Sequence, residues 1–447
     1  MLVASPTALL TRQDKPFTRA YIRGAIFKKM CKQSSFMQLR ILHVISSVNP
    51  QGGGPIEGLV QLARVNGRHG HHIEVASLDD PKAEWVQRCP LPCHAMGPSH
   101  IGKYRYSPRL VPWLQANRHR YDVVIVNGIW QYHAFAVWRA LSGTSTPYFV
   151  YTHGMLDPWF KRRYPLKHLK KWLFWPWGDY RLLRDAAAVL FTSEDERRLA
   201  RQSFWLYRCK EVVVNYGTSV PPDEADAQRQ AFLSRFPQLA DTRNLLFLGR
   251  LHEKKGVDLL LQALAAVRTR QPALTEGVRL VMAGPAGDDY GQRMQQLATQ
   301  LGLDDITVWT GMVSGPEKWG AFRCAEAFAL PSHQENFGIS VAESLACGVP
   351  VLISNQVNIW REIEQDRAGL VGDDTQAATE ALLLQWLATP VAEWQAMRTQ
   401  AQACFNARFH IDRAAESLIH AMQQQGLVLG PQADMLAGQP GPLPTPR

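Results

Sequence analysis

The chain has 447 residues, 46% hydrophobic and 20% charged, with a formal net charge of +10 and a mean hydropathy of −0.20. That excludes an integral membrane protein and leaves room for two folded domains of about 150–200 residues each. The longest apolar stretch, Trp172 to Trp177, is broken by Pro176 and falls far short of the roughly 20 residues that span a bilayer.

Residues 1–36 carry Arg12, Lys15, Arg19, Arg23, Lys28, Lys29 and Lys32 against Asp14 alone. Such a leader matches an organelle transit peptide in composition, yet Met37 directly precedes the first strand, so the expectation is a disordered arm or a start-site artefact. From residue 37 onward, short apolar runs alternate with helix-length segments, the pattern of parallel strands joined by crossover helices. A first set runs Leu39–Ile45, His72–Leu78, Tyr121–Val126, Tyr148–Tyr151, Ala188–Phe191 and Glu211–Val214. A second runs Asn244–Leu248, Val278–Met282, Ile306–Trp309, Ala327–Leu330, Val349–Ile353 and Gly369–Val371. The fold class read from this is α/β, two Rossmann-like doubly wound parallel-sheet domains facing a cleft. The first covers 37–220 and the second 244–405. Between them 221–243 reads as a linker, opened by the Pro221-Pro-Asp-Glu-Ala-Asp226 cluster. A helix over 406–425 is free to cross back to the first domain, and the Pro- and Gly-rich residues 426–447 form a disordered tail.

Taken along the chain, the first chemical signal is Gly52-Gly53-Gly54, between the first strand and a helix. Glycines there let the backbone approach a phosphate at a helix N-terminus, although the same residues are also an ordinary strand-to-helix turn. Cys89 and Cys93 flank Pro-Leu-Pro in a presumed loop. The seven cysteines are scattered and lack C-x-x-C spacing, which fits reduced thiols in a cytosol better than disulfides or zinc. His153 follows the strand ending at Tyr151. Residues 157–177 are cationic and densely aromatic. That composition suits an anionic membrane surface, or else a core helix with a solvated basic face. No recognition motif points to nucleic acid.

The second domain opens with Phe247-Leu-Gly-Arg250-Leu-His-Glu-Lys-Lys255-Gly256. Two cations at the carboxyl end of a strand face the crevice where α/β folds bind ligands and can neutralise a diphosphate, although the same pair also suits a solvated turn. Further on comes Glu335-Asn336-Phe337-Gly338-Ile-Ser-Val-Ala-Glu343, then Ala346-Cys-Gly-Val-Pro350. Glu335 lies in a loop, Gly338 permits a tight helix entry, and Glu343 falls about one and a half turns into the helix. Carboxylates so placed can accept hydroxyl hydrogen bonds; the structural alternative is a helix-capping Glu and an internal salt bridge. Asp288-Asp289 and Asp304-Asp305 read as solvated turns, so no metal site is expected.

Gly-Arg-x4-Lys-Gly, Glu-x7-Glu and Ala-Cys-Gly-Val-Pro, in this order, resemble the retaining nucleotide-sugar glycosyltransferases of GT-B architecture, over roughly residues 38–424. The resemblance implies that Gly53 and Gly54 approach the donor diphosphate and that Arg250 and Lys255 hold it. It implies that Glu343 accepts the ribose hydroxyls, and that Glu335, with Asn336, Phe337 and Gly338, faces the donor sugar. His153 matches a histidine near the scissile bond. It further implies a UDP- or GDP-linked sugar as substrate, no cofactor, metal-independent transfer to a saccharide or lipid-linked saccharide in cell-surface polysaccharide synthesis, and a cytoplasmic, peripheral location. Asn215-Tyr-Gly-Thr-Ser departs from the Asn-Gly-x-Asp of many relatives. A nucleotide-sugar epimerase and a catalytically retired binding subunit share the architecture; Glu335, Glu343, Arg250 and Lys255 together argue against both.

Overall fold

The computed structural model describes residues 38–50, 54–285 and 289–427. The basic arm, the tail from 428 and Gly53 lie outside the described residues.

Strands β1 (Arg40–Ile45), β2 (His72–Ser77), β3 (Cys93–Ala95), β4 (Val123–Asn127), β5 (Tyr148–Tyr151), β6 (Ala188–Phe191) and β7 (Glu211–Val213) form one sheet. Their spatial order is β3-β2-β1-β4-β5-β6-β7, and every pairing is parallel. Strands β8 (Arg243–Leu248), β9 (Val278–Ala283), β10 (Thr307–Gly311), β11 (Ala325–Leu330), β12 (Val351–Ser354) and β13 (Gly369–Gly372) form a second sheet, ordered β10-β9-β8-β11-β12-β13 and also wholly parallel. Helices cover both faces of such sheets, so the strands are apolar on both sides. Val123, Val124, Ile125 and Val126 are all buried, as are Leu245, Leu246 and Phe247. The direction of winding reverses between β1 and β4 and again between β8 and β11. Ligands of open α/β sheets lie at those switch points, beyond the carboxyl ends of the strands.

Every strand except β3 falls where the sequence places one. β3 occupies the Cys-Pro-Leu-Pro-Cys segment read as a loop, its three residues pairing with β2 from Cys93 to Ala95. It is too short, and too close to two prolines, to display a period of two.

The presumed linker needs a correction. Residues Ala225–Arg235 are a helix that packs along the helix Gly315–Cys324 of the second sheet. Its buried face is little more than Gln228 and Phe232, so no apolar stripe announces it.

At the other end, a helix Val391–Cys404, one π-helical turn Phe405–Phe409 and a helix Ile411–Gln424 follow one another. The last helix packs on Gly54–Arg68, the helix after β1. His410 pairs with Thr218, the Asn215 N–H donates to Ser417 Oγ at 3.0 Å, and Arg68 pairs with Asp412 at 3.2 Å. The helix Ile411–Gln424 therefore lies with the first sheet's helices. Among the described residues no helix is long and apolar enough to cross a membrane.

Candidate functional site

Beyond β8 the chain passes Arg250 and makes a tight turn, Glu253–Lys255, closed by Gly256 in the left-handed region (φ 64°). A Cβ on Gly256 would stand 2.0 Å from the Pro331 carbonyl oxygen, so glycine lets this turn press against the loop after β11. The contact is fastened by the His333 N–H, which donates to the Lys254 carbonyl at 2.8 Å. In that loop the Glu335 N–H donates to the Gln356 carbonyl and the Glu335 carbonyl accepts from Asn358, both at 3.0 Å. The outcome is an ion pair between the Lys255 ammonium and the Glu335 carboxylate. Burial pushes the Glu335 carboxyl up, but the Lys255 ion pair, the charge of Lys254 and the Asn336 N–H outweigh it and hold it below the usual range. Burial lowers the Lys254 amine. Arg250 is exposed at the same rim and makes no ion pair among the described residues.

Gly338, also left-handed, opens the helix Ile339–Ala346, and Glu343 on that helix is only 2% exposed. Burial raises its carboxyl to about 7; Lys318 opposes the shift and Glu57 adds to it. The Lys318 ammonium, from the helix Gly315–Cys324, lies 2.5 Å from Glu343 Oε1. The two carboxylates thus have separate cationic partners, Lys255 for Glu335 and Lys318 for Glu343.

The first sheet supplies the opposite wall. His153 follows β5 with a left-handed backbone (φ 46°), its ring stacked on Tyr151 at 5.3 Å and edge-on to Tyr216 at 6.1 Å. Burial lowers it to about 4, so the imidazole is neutral at physiological pH. Next to it Gly154 touches the second sheet's loop: a Cβ there would come within 2.7 Å of Asn336 Cβ. The Asn336 amide donates to Thr192 Oγ1 at 3.1 Å. Phe337 packs edge-on to Tyr216 at 5.1 Å and to Phe409 at 5.7 Å. Asn336 and Phe337 therefore join the two walls. Gly54 begins the helix after β1 against the Ile339 side chain, opposite the entry to the Glu343 helix.

The basic aromatic segment divides in two. Its first part latches the walls together. The Tyr164 hydroxyl donates to the Glu253 carboxylate, Arg163 pairs with Glu253 at 2.9 Å, and Gln334 donates to Asp157 at 3.2 Å. Lys254 stands over the Phe160 ring at 5.1 Å. Its second part, the helix Pro165–Phe174, has no buried residue. Leu166 (77% exposed), Leu169 and Leu173 (62%) face outward at steps of three and four residues, one stripe of the helix, and Trp177 (68%) is exposed in the turn beyond it. This removes the core-helix alternative. Lys171, however, is turned inward, its ammonium 4.3 Å from the Trp130 ring centre.

The ordering of these parts is that of two known domains. Residues 53–217 match the glycosyl transferase 4-like domain, and residues 230–403 the glycosyl transferases group 1 domain. The chain therefore carries a group 1 glycosyltransferase domain. The chain is 34% identical over 144 residues to the D-inositol 3-phosphate glycosyltransferase of Arthrobacter sp. (strain FB24), covering 32% of the chain and 34% of the relative. With that of Actinosynnema mirum it shares 33% over 217 residues, 47% of the chain and 50% of the relative. The chain thus spans about a third to a half of the length of the curated relatives it matches. Its fold is similar to that of sucrose-phosphate synthase from Thermosynechococcus elongatus, with TM-score 0.67, 19% identity and coverage of 86% of this chain and 98% of that one. It is equally similar to HepE of Anabaena in complex with UDP-glucose, with TM-score 0.67, 17% identity and coverage of 87% and 100%.

Three residues of the candidate site escape sequence reasoning. Glu196 binds the turn that carries His153, Lys318 partners Glu343, and Glu253 receives Tyr164 and Arg163. Each acts on a group distant in sequence, so spacing carries no trace of it. Glu196 alone leaves a faint signal, as the third helical residue after Ser193: the Glu196 N–H donates to Ser193 Oγ at 3.0 Å, half of a capping box.

Proposed function

We propose that this glycosyltransferase moves a sugar from a UDP- or GDP-linked donor to a saccharide or lipid-linked saccharide, retaining the anomeric configuration and using no metal. One observation carries the reading: the Lys255–Glu335 ion pair, rimmed by Arg250 at the switch point of the second sheet and close to the His153 turn of the first. A diphosphate arriving there meets Arg250 and Lys255, and Lys255 can exchange Glu335 for phosphate oxygens. Glu335 is then free to accept sugar hydroxyls while staying ionised. Glu343 takes the ribose hydroxyls, and Gly54 offers a backbone N–H group at a helix N-terminus.

In the transfer, the bond from the anomeric carbon to the diphosphate oxygen breaks and a bond to the acceptor oxygen forms on the same face. The acceptor proton passes to a donor phosphate oxygen. Charge growing on the leaving diphosphate is stabilised by cations already in place. Neutral His153, held against Tyr151, serves as a hydrogen-bonding group toward the sugar.

Cell-surface polysaccharide synthesis at the cytoplasmic face of a membrane is part of the same proposal. The outward stripe from Leu166 to Leu173, with Trp177 beyond it and flanked by Lys161, Lys167 and Lys170, suits insertion of apolar side chains among anionic headgroups. Donor turnover across a panel of nucleotide sugars tests the central reading, with Lys255→Ala and Glu343→Ala as controls. Full activity in both variants would overturn the site assignment.

A further inference from the structure

A cavity of about 640 Å³ opens beside this site. It lies between the turn after β1 (Val48 to Pro50), one face of the helix Gly54–Arg68 (Ile56, Glu57, Val60, Gln61, Arg64) and the segment Glu84 to Pro90. None of these residues, Glu57 included, has a role in donor binding as described above. Glu57 is nevertheless near enough to Glu343 to raise its pKa, so the cavity adjoins the cleft on the first-sheet side.

Its lining is amphipathic. Val48, Ile56 and Val60 supply apolar wall, and the Trp85 indole, 38% exposed, stacks on no other ring among the described residues. The polar groups are charge-balanced: Glu57 and Glu84 against Arg64 and Arg88. Arg88 is engaged by Glu84 at 2.9 Å. Gln61 is engaged too, donating to Glu57 at 3.3 Å and accepting from the Ser219 N–H at 2.8 Å. That leaves Arg64, which has no ion pair among the described residues, and a bare indole face. A charge-balanced set of donors and acceptors beside an aromatic plate matches a pyranose, with one apolar C–H face and a rim of hydroxyls. The volume lies within the range of small-molecule sites and accommodates more than one sugar ring.

We propose that this cavity is an acceptor subsite, binding neutral sugar units of the acceptor beyond the one that reacts, with Trp85 as stacking platform and Arg64 as hydroxyl-binding donor. The proposal rests on the glycosyltransferase reading and specifies where the acceptor lies. Cys89 lines the same cavity and provides a reporter, because the neighbouring Cys93 thiol holds its own thiol below the usual range, and thiolates alkylate readily.

The test uses the full chain with maltose, cellobiose, lactose and mannobiose as probes. Two signals are read: saturation-transfer NMR on the sugar, and the rate of Cys89 alkylation by N-ethylmaleimide, assigned by peptide mapping. At least one disaccharide should show saturation transfer at its ring C–H protons and slow Cys89 alkylation by about tenfold. Trp85→Ala should abolish both signals, and Arg64→Ala should weaken both. If no disaccharide protects Cys89, or if protection is unchanged in Trp85→Ala and in Arg64→Ala, the proposal is wrong. Binding of UDP and GDP to the same samples, measured by calorimetry, separates the two readings. Nucleotide binding without protection of Cys89 removes the subsite alone, and protection without nucleotide binding removes the donor reading alone.

Discussion

Glu196 accepts the Gly154 N–H at 2.6 Å, and through it fixes the left-handed turn on which His153 rides. The same carboxylate accepts the Thr152 hydroxyl at 2.8 Å and both the N–H and hydroxyl of Thr192, at 2.7 and 2.8 Å. Four donors converge on one buried acceptor. Glu196→Gln replaces one acceptor oxygen by an NH2 group and sets donor against donor. Stability in urea should fall by about 1–3 kcal/mol, and kcat should fall with a smaller change in donor KM, because the turn is misplaced rather than lost. Unchanged kcat with lowered stability would make Glu196 purely structural.

The Lys255–Glu335 pair predicts unequal costs. Lys255→Ala leaves Glu335 half-buried beside Lys254 but without its ion-pair partner, and should lower donor kcat/KM by about 100-fold or more. Arg250→Ala, at the exposed rim, should weaken binding of free UDP or GDP with little effect on thermal stability. Equal losses of stability in the two variants would contradict the arrangement.

Glu343 gives a pH signature. Its carboxyl titrates near 7 rather than at its ordinary 4.5, so the folded chain holds a proton that the unfolded chain has released between those values. This group's contribution to stability is fully present below about pH 4.5 and is lost as pH rises through about 7. Glu343→Gln, which cannot titrate, should therefore gain on the wild type by about 2–3 kcal/mol between pH 5 and 8 in urea titrations. Nucleotide affinity should run the other way in the wild type, rising as the carboxylate forms, and should be flat in the variant.

Three histidines around the first sheet predict the acid limit. Burial, the leading cause in each, lowers His43 to about 3 and both His133 and His153 to about 4. They are neutral when folded and charge freely when unfolded. Their contribution is intact above pH 6.5 and is lost as pH falls toward 4, with a slope of at most about 4 kcal/mol per pH unit. Replacing His43 by Asn should flatten the acid limb of the stability curve by about a third.

The membrane reading is tested on the outward stripe. Leu169→Ser with Leu173→Ser, or Lys167→Glu with Lys170→Glu, should each cut co-sedimentation with anionic phosphatidylglycerol vesicles by about tenfold or more. Lys171→Glu should instead destabilise the fold, because that ammonium lies over Trp130. Undiminished sedimentation of both double variants would end the membrane proposal.

The parallel sheets were legible because strands buried on both faces write long apolar runs, as Val123 to Val126 does. The places of Arg250, Lys255, Glu335 and Glu343 in the fold were legible because each follows a strand end at a short offset. The linker helix was hidden by having Phe232 as its main apolar anchor. The inward turn of Lys171 was hidden too, since a lysine over an indole is written no differently from a solvated one. Glu196, Lys318 and Glu253 act across 42, 25 and 89 residues of chain to Gly154, Glu343 and Tyr164, distances over which local pattern is silent.

The return of the chain at His410, beside Thr218, has a consequence for how the molecule can be divided. Its first half is not a continuous stretch of polypeptide, because the helix that completes it is delivered last. No single cut yields two intact halves: severing the backbone near residue 405 strips the helix Gly54–Arg68 of its cover. Both crossings lie at one spot, so opening or closing of the cleft must pivot there, as two doors on a shared pin.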